Sequence, residues 1–154
     1  LDMLIKQKQK KLSKINDNSL NEKDLNFYKN FEKFENKQYT THVSALKFNG
    51  EFIAMHWGIV TKNYYYYLFP SMNNGKFKRF SPGKLLLSLL IRWSISKKLR
   101  FFDFGLGEEF YKSKWSNKTE DIYNYIHLKR LKGIFFYITM QIRQIIKSLR
   151  RHYY

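Results

Sequence analysis

Apolar positions change their period along the chain, and each change marks a new element. Leu1, Leu4, Ile5 and Leu12 recur at helical spacing among lysines, which predicts a short amphipathic helix or the end of a longer one. Residues 13–21 are polar and read as a loop. Asn21 with Asp24 resembles a helix start, with an acid where the helix dipole favours one. Leu25, Tyr28, Phe31 and Phe34 give this second helix one apolar face, and its aromatics read as core. At residue 41 the period falls to two. Residues 42–48 and 51–60 are strand-like, and Asn49-Gly50 between them is the pair preferred by a type I′ turn, so residues 41–61 form a hairpin. Residues 64–69 make a third strand with Pro70 as its end, and alternating tyrosines there face two environments.

The stretch from residue 80 to 115 departs from both periods. It begins F-S-P-G-K-L-L-L, a helix start. Ser81 is suited to cap it by accepting from a free backbone N–H, and Pro82 suits the first helical position because no N–H is needed there. Gly83 lets another molecule approach the backbone. Free N–H groups and the positive dipole end converge at this point, and Lys76, Lys78, Arg79 and Lys84 surround it, which makes an anion site. Leu85, Leu86, Leu87, Leu89, Leu90, Ile91, Trp93 and Ile95 predict a helix buried on most sides. Residues 101–104 are an aromatic strand broken by Asp103. Strand, helix, strand in this order implies a βαβ crossover, with ligands bound beyond the carboxyl ends of the strands. Residues 122–128 suggest one more strand, and Gly133 a break before a last helix over 134–151. That helix is apolar at Ile134, Ile138, Ile142, Ile145 and Leu149 and basic at Arg143, Lys147, Arg150 and Arg151. It fits either an anionic membrane surface or packing on the sheet or another domain, and packing is the plainer reading. The last residues, 152–154, are expected to fray.

Composition narrows the function classes. The 154 residues carry a net charge of +17, which favours polyanionic partners: nucleic acid, anionic membrane, phosphorylated cofactors or nucleotide-sugars. Cysteine is absent, which removes disulfides, thiolate metal sites and a cysteine nucleophile. Four scattered histidines give no metal-ligand spacing. No G-x-S-x-G and no Ser/His/Asp set is visible, and G-L-G at Gly105 to Gly107 lacks the third glycine of a dinucleotide fingerprint. The residues present contain no signal-peptide pattern and no transmembrane run, and the expected location is the cytoplasm, with an anionic membrane surface the alternative contact of the last helix. The chain begins with Leu, and the expectation is the C-terminal half of a longer protein.

A hairpin, a tyrosine-rich strand, S-P-G-K-L-L-L, then F-D-F-G-L-G and E-E-F-Y-K-S-K-W, in this order and spacing, resemble the GNAT-fold acetyltransferases associated with cellulose and other polysaccharide biosynthesis. The early L-D-M-L-I-K-Q-K-Q is similar to the family segment upstream of its hairpin, and the resemblance covers roughly residues 1–127. It implies an α/β (α+β) GNAT fold, a mixed and mostly antiparallel sheet flanked by helices. The division expected is a GNAT-like domain over 1–132 and a basic amphipathic helix over 133–154. It also implies an acyl donor, acetyl-CoA, and no metal. In GNAT enzymes the pyrophosphate of coenzyme A sits on the loop and helix start after the central strand. That place falls on Phe80, Ser81, Pro82, Gly83, Lys84 and Leu85, with Arg79 at the loop's opening.

Acyl transfer from a thioester needs an acceptor that loses a proton, a polarised carbonyl and a route for the leaving thiolate. His56 is a candidate base because its ordinary pKa is near neutrality, or else a strand histidine held by a backbone partner. Asp103, among aromatics, is a candidate base or acceptor-orienting acid, or else a cap for the Gly105 to Gly107 turn. The resemblance places Tyr111 as the phenol that protonates the thiolate. Lys112, and less so Lys114, can stabilise an oxyanion or a phosphate, or else be solvated. Trp115 reads as a packing residue, and Glu108 and Glu109 as solvated, with Glu108 a minor candidate for orienting an acceptor amine. The function expected is transfer of an acetyl group to an amine or hydroxyl of a sugar, nucleotide-sugar or surface-polysaccharide precursor. Two other readings stand beside it. One is a Fem-type aminoacyl transferase using aminoacyl-tRNA, related in fold and in its aromatic-Lys motif. The other is a non-catalytic basic module on nucleic acid or membrane.

Overall fold

A computed structural model describes residues 1–13, 22–31, 37–73, 75–107, 109–123, 125–127 and 131–152. The chain forms two compact units, Leu1–Lys114 and Trp115–Tyr154.

The first unit begins with α1 (Asp2–Ser13) and α2 (Glu22–Phe31) and continues with β1 (Tyr39–Phe48), β2 (Glu51–Thr61) and β3 (Tyr64–Met72). A single 3-10 turn, Lys78–Phe80, leads into α3 (Pro82–Ser96), β4 (Phe101–Asp103) and α4 (Phe110–Trp115). The sheet order is β1-β2-β3-β4, antiparallel except for the parallel pair β3–β4 that α3 connects. This is the mixed sheet flanked by helices that the sequence implies. The hairpin turn has φ of 45° at Asn49 and 81° at Gly50, the two positive values a type I′ turn requires.

Each face of the sheet holds its own apolar cluster. On one face α3 lays Leu86, Leu87 and Leu90 over Ala54, Tyr65 and Tyr67. On the other, Leu4 of α1 meets Met55, Trp57 and Phe69, with Tyr28 and Phe31 of α2 against them. Burying each such leucine contributes roughly 2 kcal/mol. The cluster to which a β3 residue belongs depends on a bulge. Trp57 lies opposite Phe69 but Gly58 lies opposite Tyr67, so Leu68 is an additional residue in β3. Side chains alternate along a strand, and one extra residue reverses their facing. Tyr65 and Tyr67 therefore look toward α3, while Phe69 looks toward α1.

Several sequence expectations change. Pro70 does not end β3, which continues to Met72. Asn73 donates from its backbone to Ile53, so by strand alternation Pro70 and Met72 turn their backbone groups away from β2. On that side β4 stops at Asp103, and a missing N–H costs no ladder bond. The helix α3 is covered on one side only, because the sheet lies against one face; Leu85 and Leu89 are exposed. Residues 101–104 give a strand of three, Phe101–Asp103, and α4 follows the glycine turn where the sequence reading had no helix. Phe34 and Leu128 lie outside the described residues.

In the second unit the expected strand over 122–128 is not formed among the described residues. Ile122, Tyr123 and Tyr125 are exposed, and without a neighbouring strand an alternating run has no ladder to join. Its helix α5 (Leu131–His152) runs through Gly133, which the sequence marked as a break; one glycine costs about 1 kcal/mol against alanine, too little to stop a long apolar helix. Trp115, expected to pack, is exposed.

Candidate active site at the fork between β3 and β4

Three residue pairs join β3 to β4: Tyr64 to Phe101, Tyr65 to Phe102 and Tyr66 to Asp103. Beyond them β3 runs on to Met72 while the chain leaves β4 for a turn. The two parallel strands thus part at their carboxyl ends, and beyond Tyr66 the edge of β3 has no partner strand among the described residues, although the Pro70 carbonyl accepts from Lys8 Nζ at 3.2 Å. The start of α3 stands beside this edge. Gly83 lies so close to β3 that a Cβ on it meets Met72 Sδ at 3.4 Å.

Ser81 occupies the N-cap position of α3 but does not cap with its hydroxyl. Its backbone is left-handed, with φ 50° and ψ 53°, instead of the extended conformation that aims the side chain at the first turn. The Ser81 carbonyl instead accepts from the Lys84 and Leu85 N–H groups at 2.9 and 3.2 Å. Pro82, buried, has no N–H. Among the described contacts, the Gly83 N–H alone in this first turn has no acceptor, at the positive end of a 15-residue helix. Arg79 lies over the exposed Phe80 ring at 4.7 Å, and Lys76 reaches Glu51 at 3.5 Å in an exposed pair.

On the β4 side, Asp103 Oδ1 accepts from the Gly105 N–H at 2.7 Å, so the carboxylate caps the turn. Gly105 and Gly107 have φ of 67° and 112°. Lys112 is not a solvated charge. Its ammonium is largely covered, donates to the Leu106 carbonyl at 2.6 Å and pairs with Glu109 at 2.7 Å, which closes the turn from its other end. Glu109 is exposed, as the sequence reading had it, and pairs with Lys112, and Glu108 lies outside the described residues. Lys114 rests over the exposed Phe110 ring at 4.5 Å. Tyr111 packs edge-on against Phe104, and Phe104 against Tyr67. Burial and then the Glu109 carboxylate raise the Tyr111 phenol above its ordinary range, and burial and then Tyr111 raise that of Tyr67. Both are protonated at neutral pH, and Phe104 packs against both rings.

His56 is elsewhere. It is fully buried beneath α3, with its ring stacked on Tyr67 at 4.1 Å. The Tyr65 hydroxyl sits between His56 Nδ1 at 3.1 Å and His42 Nδ1 at 2.9 Å. One phenol proton serves two imidazole nitrogens, so Tyr65 donates to one ring and accepts from the other. Burial, then the neighbouring His42, push His56 down to about 3, and it is neutral at physiological pH. Its Nε2 finds no partner among the described residues. A base this weak, under a helix, is poorly placed to take a proton from an acceptor. Of the two sequence readings, a general base or a strand histidine held by a backbone partner, the second is nearer, with the Tyr65 phenol in place of the backbone group.

The structure therefore brings Tyr111, Asp103 and Lys112 to one turn beside β4 and places Gly83 against the end of β3, while His56 belongs to the core. Tyr67 was not singled out as a site residue. Its signal was the tyrosine alternation, which marks a facing but not the bulge that decides it. No group of acidic or histidine side chains fit to hold a metal occurs among the described residues.

Comparison with known proteins identifies the family of the first unit. No curated protein and no solved structure matches the chain with significance. A family does: the sequence pattern of the acetyltransferase (GNAT) domain matches residues 2–113, almost the whole first unit. GNAT domains typically take acetyl-CoA as donor, and the chain belongs to the GNAT acetyltransferase domain family.

Proposed function

We propose that this chain moves an acetyl group from acetyl-CoA to an amine or hydroxyl of a sugar, nucleotide-sugar or surface-polysaccharide precursor, with the donor held in the β3–β4 fork. The observation that carries the donor site is the start of α3 against the open edge of β3. The unpaired Gly83 N–H, the helix dipole and the cations Lys76, Lys78, Arg79 and Lys84 suit a pyrophosphate, with Phe80, Ser81, Pro82 and Leu85 forming the turn around it. The edge of β3 at Met72 offers backbone groups to an extended chain bearing amides. The sugar acceptor rests on the sequence resemblance.

In the transfer, the acceptor nitrogen or oxygen attacks the thioester carbonyl carbon, the C–S bond breaks and the sulfur leaves as thiolate. Tyr111 is the proton donor to that thiolate: its phenol is protonated and beside the turn that closes the fork. Asp103 orients the acceptor and receives its proton, which returns to Tyr111 through solvent. Lys112 holds the turn that positions both, through Leu106 and Glu109. His56 keeps Tyr65 and Tyr67 in register beneath α3.

Thermal melting with acetyl-CoA tests the donor site. A hundredfold excess over Kd raises Tm by roughly 5–10 °C. Gly83→Trp abolishes the shift, because the indole fills the space beside Met72, whereas Gly83→Ala, at ordinary contact with Met72, keeps it. No shift for the unaltered chain with several acyl-CoAs contradicts the proposal.

A further inference from the structure

The second unit carries a surface that acyl transfer does not use. Phe135 and Phe136 of α5 are 72% and 70% exposed. Consecutive helical residues point about 100° apart, so the two rings lie on different sides of the helix. Farther along, Ile138, Ile142, Ile145 and Ile146 fall within one arc, all exposed, with Arg143 exposed off that arc. The helix sequence contains Lys132, Arg143, Lys147, Arg150 and Arg151 and no acid. A broad apolar arc on a helix without negative charge matches a surface that is apolar within and anionic at its boundary. Among the described residues no helix is long and apolar enough to cross a membrane.

We propose that α5 lies in the plane of an anionic lipid bilayer. The isoleucine arc with Phe135 enters the acyl-chain boundary, and the lysines and arginines, with Phe136 among them, meet the lipid phosphates and headgroups. Nucleic acid matches the charge but offers no apolar surface to the isoleucines. The proposal is independent of the acyl-transfer reading.

Co-sedimentation of the full chain with vesicles tests it. The chain sediments with vesicles of phosphatidylcholine containing about one third phosphatidylglycerol and binds phosphatidylcholine alone roughly tenfold or more weakly, with loss of the difference at high salt. Ile142→Asp removes binding, and the double change Arg143→Glu with Lys147→Glu weakens it roughly tenfold or more. Circular dichroism of both variants confirms that the helix is retained. Absence of vesicle binding by the unaltered chain overturns the proposal. So does binding that neither variant weakens. A dimer that Ile142→Asp dissociates, with no vesicle binding, assigns the face to a second copy instead, and RNA retention without vesicle binding assigns it to nucleic acid.

Discussion

His56 shows how far environment governs a side chain. As a histidine on a strand it had the chemistry of a general base; buried beneath α3 with only a phenol on Nδ1, it is held neutral. Its pKa is about 3 in the folded chain against an ordinary 6.5, so the unfolded chain binds the extra proton between those values. The stability it contributes is complete above pH 6.5 and is lost as pH falls toward 3, at about 1.4 kcal/mol per pH unit. Denaturant melts at a series of pH values show this: His56→Gln flattens the acid limb over that window relative to the unaltered chain. An unchanged slope contradicts the burial account. Tyr111, the proposed proton donor, is half-buried beside the turn, and burial and then the Glu109 carboxylate raise its phenol above its ordinary range. Tyr111→Phe lowers kcat by roughly a hundredfold with little effect on the KM for acetyl-CoA, read from thiol release once an acceptor is in hand. A change in KM alone assigns the ring to binding.

Among the elements, the β-bulge at Leu68 decides which tyrosines reach the site. The order helix, helix, three strands, helix, strand was legible because each period is set locally, by alternation in the hairpin and by 3.6-residue spacing in α3. The bulge was not, because it depends on pairing with β2 across the hairpin. Pro70 was read as a stop for the same reason: its tolerance comes from a strand edge that β4 leaves open, and no local signal reports the length of β4. The run over 122–127 alternates as a strand does, yet among the described residues no strand pairs with it. At the candidate site the helix start and the F-D-F-G turn were legible, while the role of Lys112 as a clasp needed the third dimension. Gly58 tests the element directly. A Cβ there runs into the Tyr66 carbonyl and meets His56 Cε1 at 2.6 Å, and the backbone contact cannot relax cheaply. Gly58→Ala lowers stability by about 2–3 kcal/mol in urea melts. A loss below about 0.5 kcal/mol shows that β2 and β3 can slide apart there.

For the molecule as a whole, the two units divide the chemistry. The first contains the sheet, the fork and the family match. The second contains α5, with its exposed apolar residues. The charge of +17 is spread along the sequence, so it favours anionic partners in general and locates no site by itself. Location comes from the fork. The most direct test is a titration of the nitrogen-15-labelled chain with acetyl-CoA, followed by the backbone amide signals. The account predicts that Gly83 and Met72, which flank the open edge of β3, shift saturably and together, and that Gly83→Trp removes the response at Met72. Saturable shifts confined to other elements, with Gly83 and Met72 unmoved, contradict it.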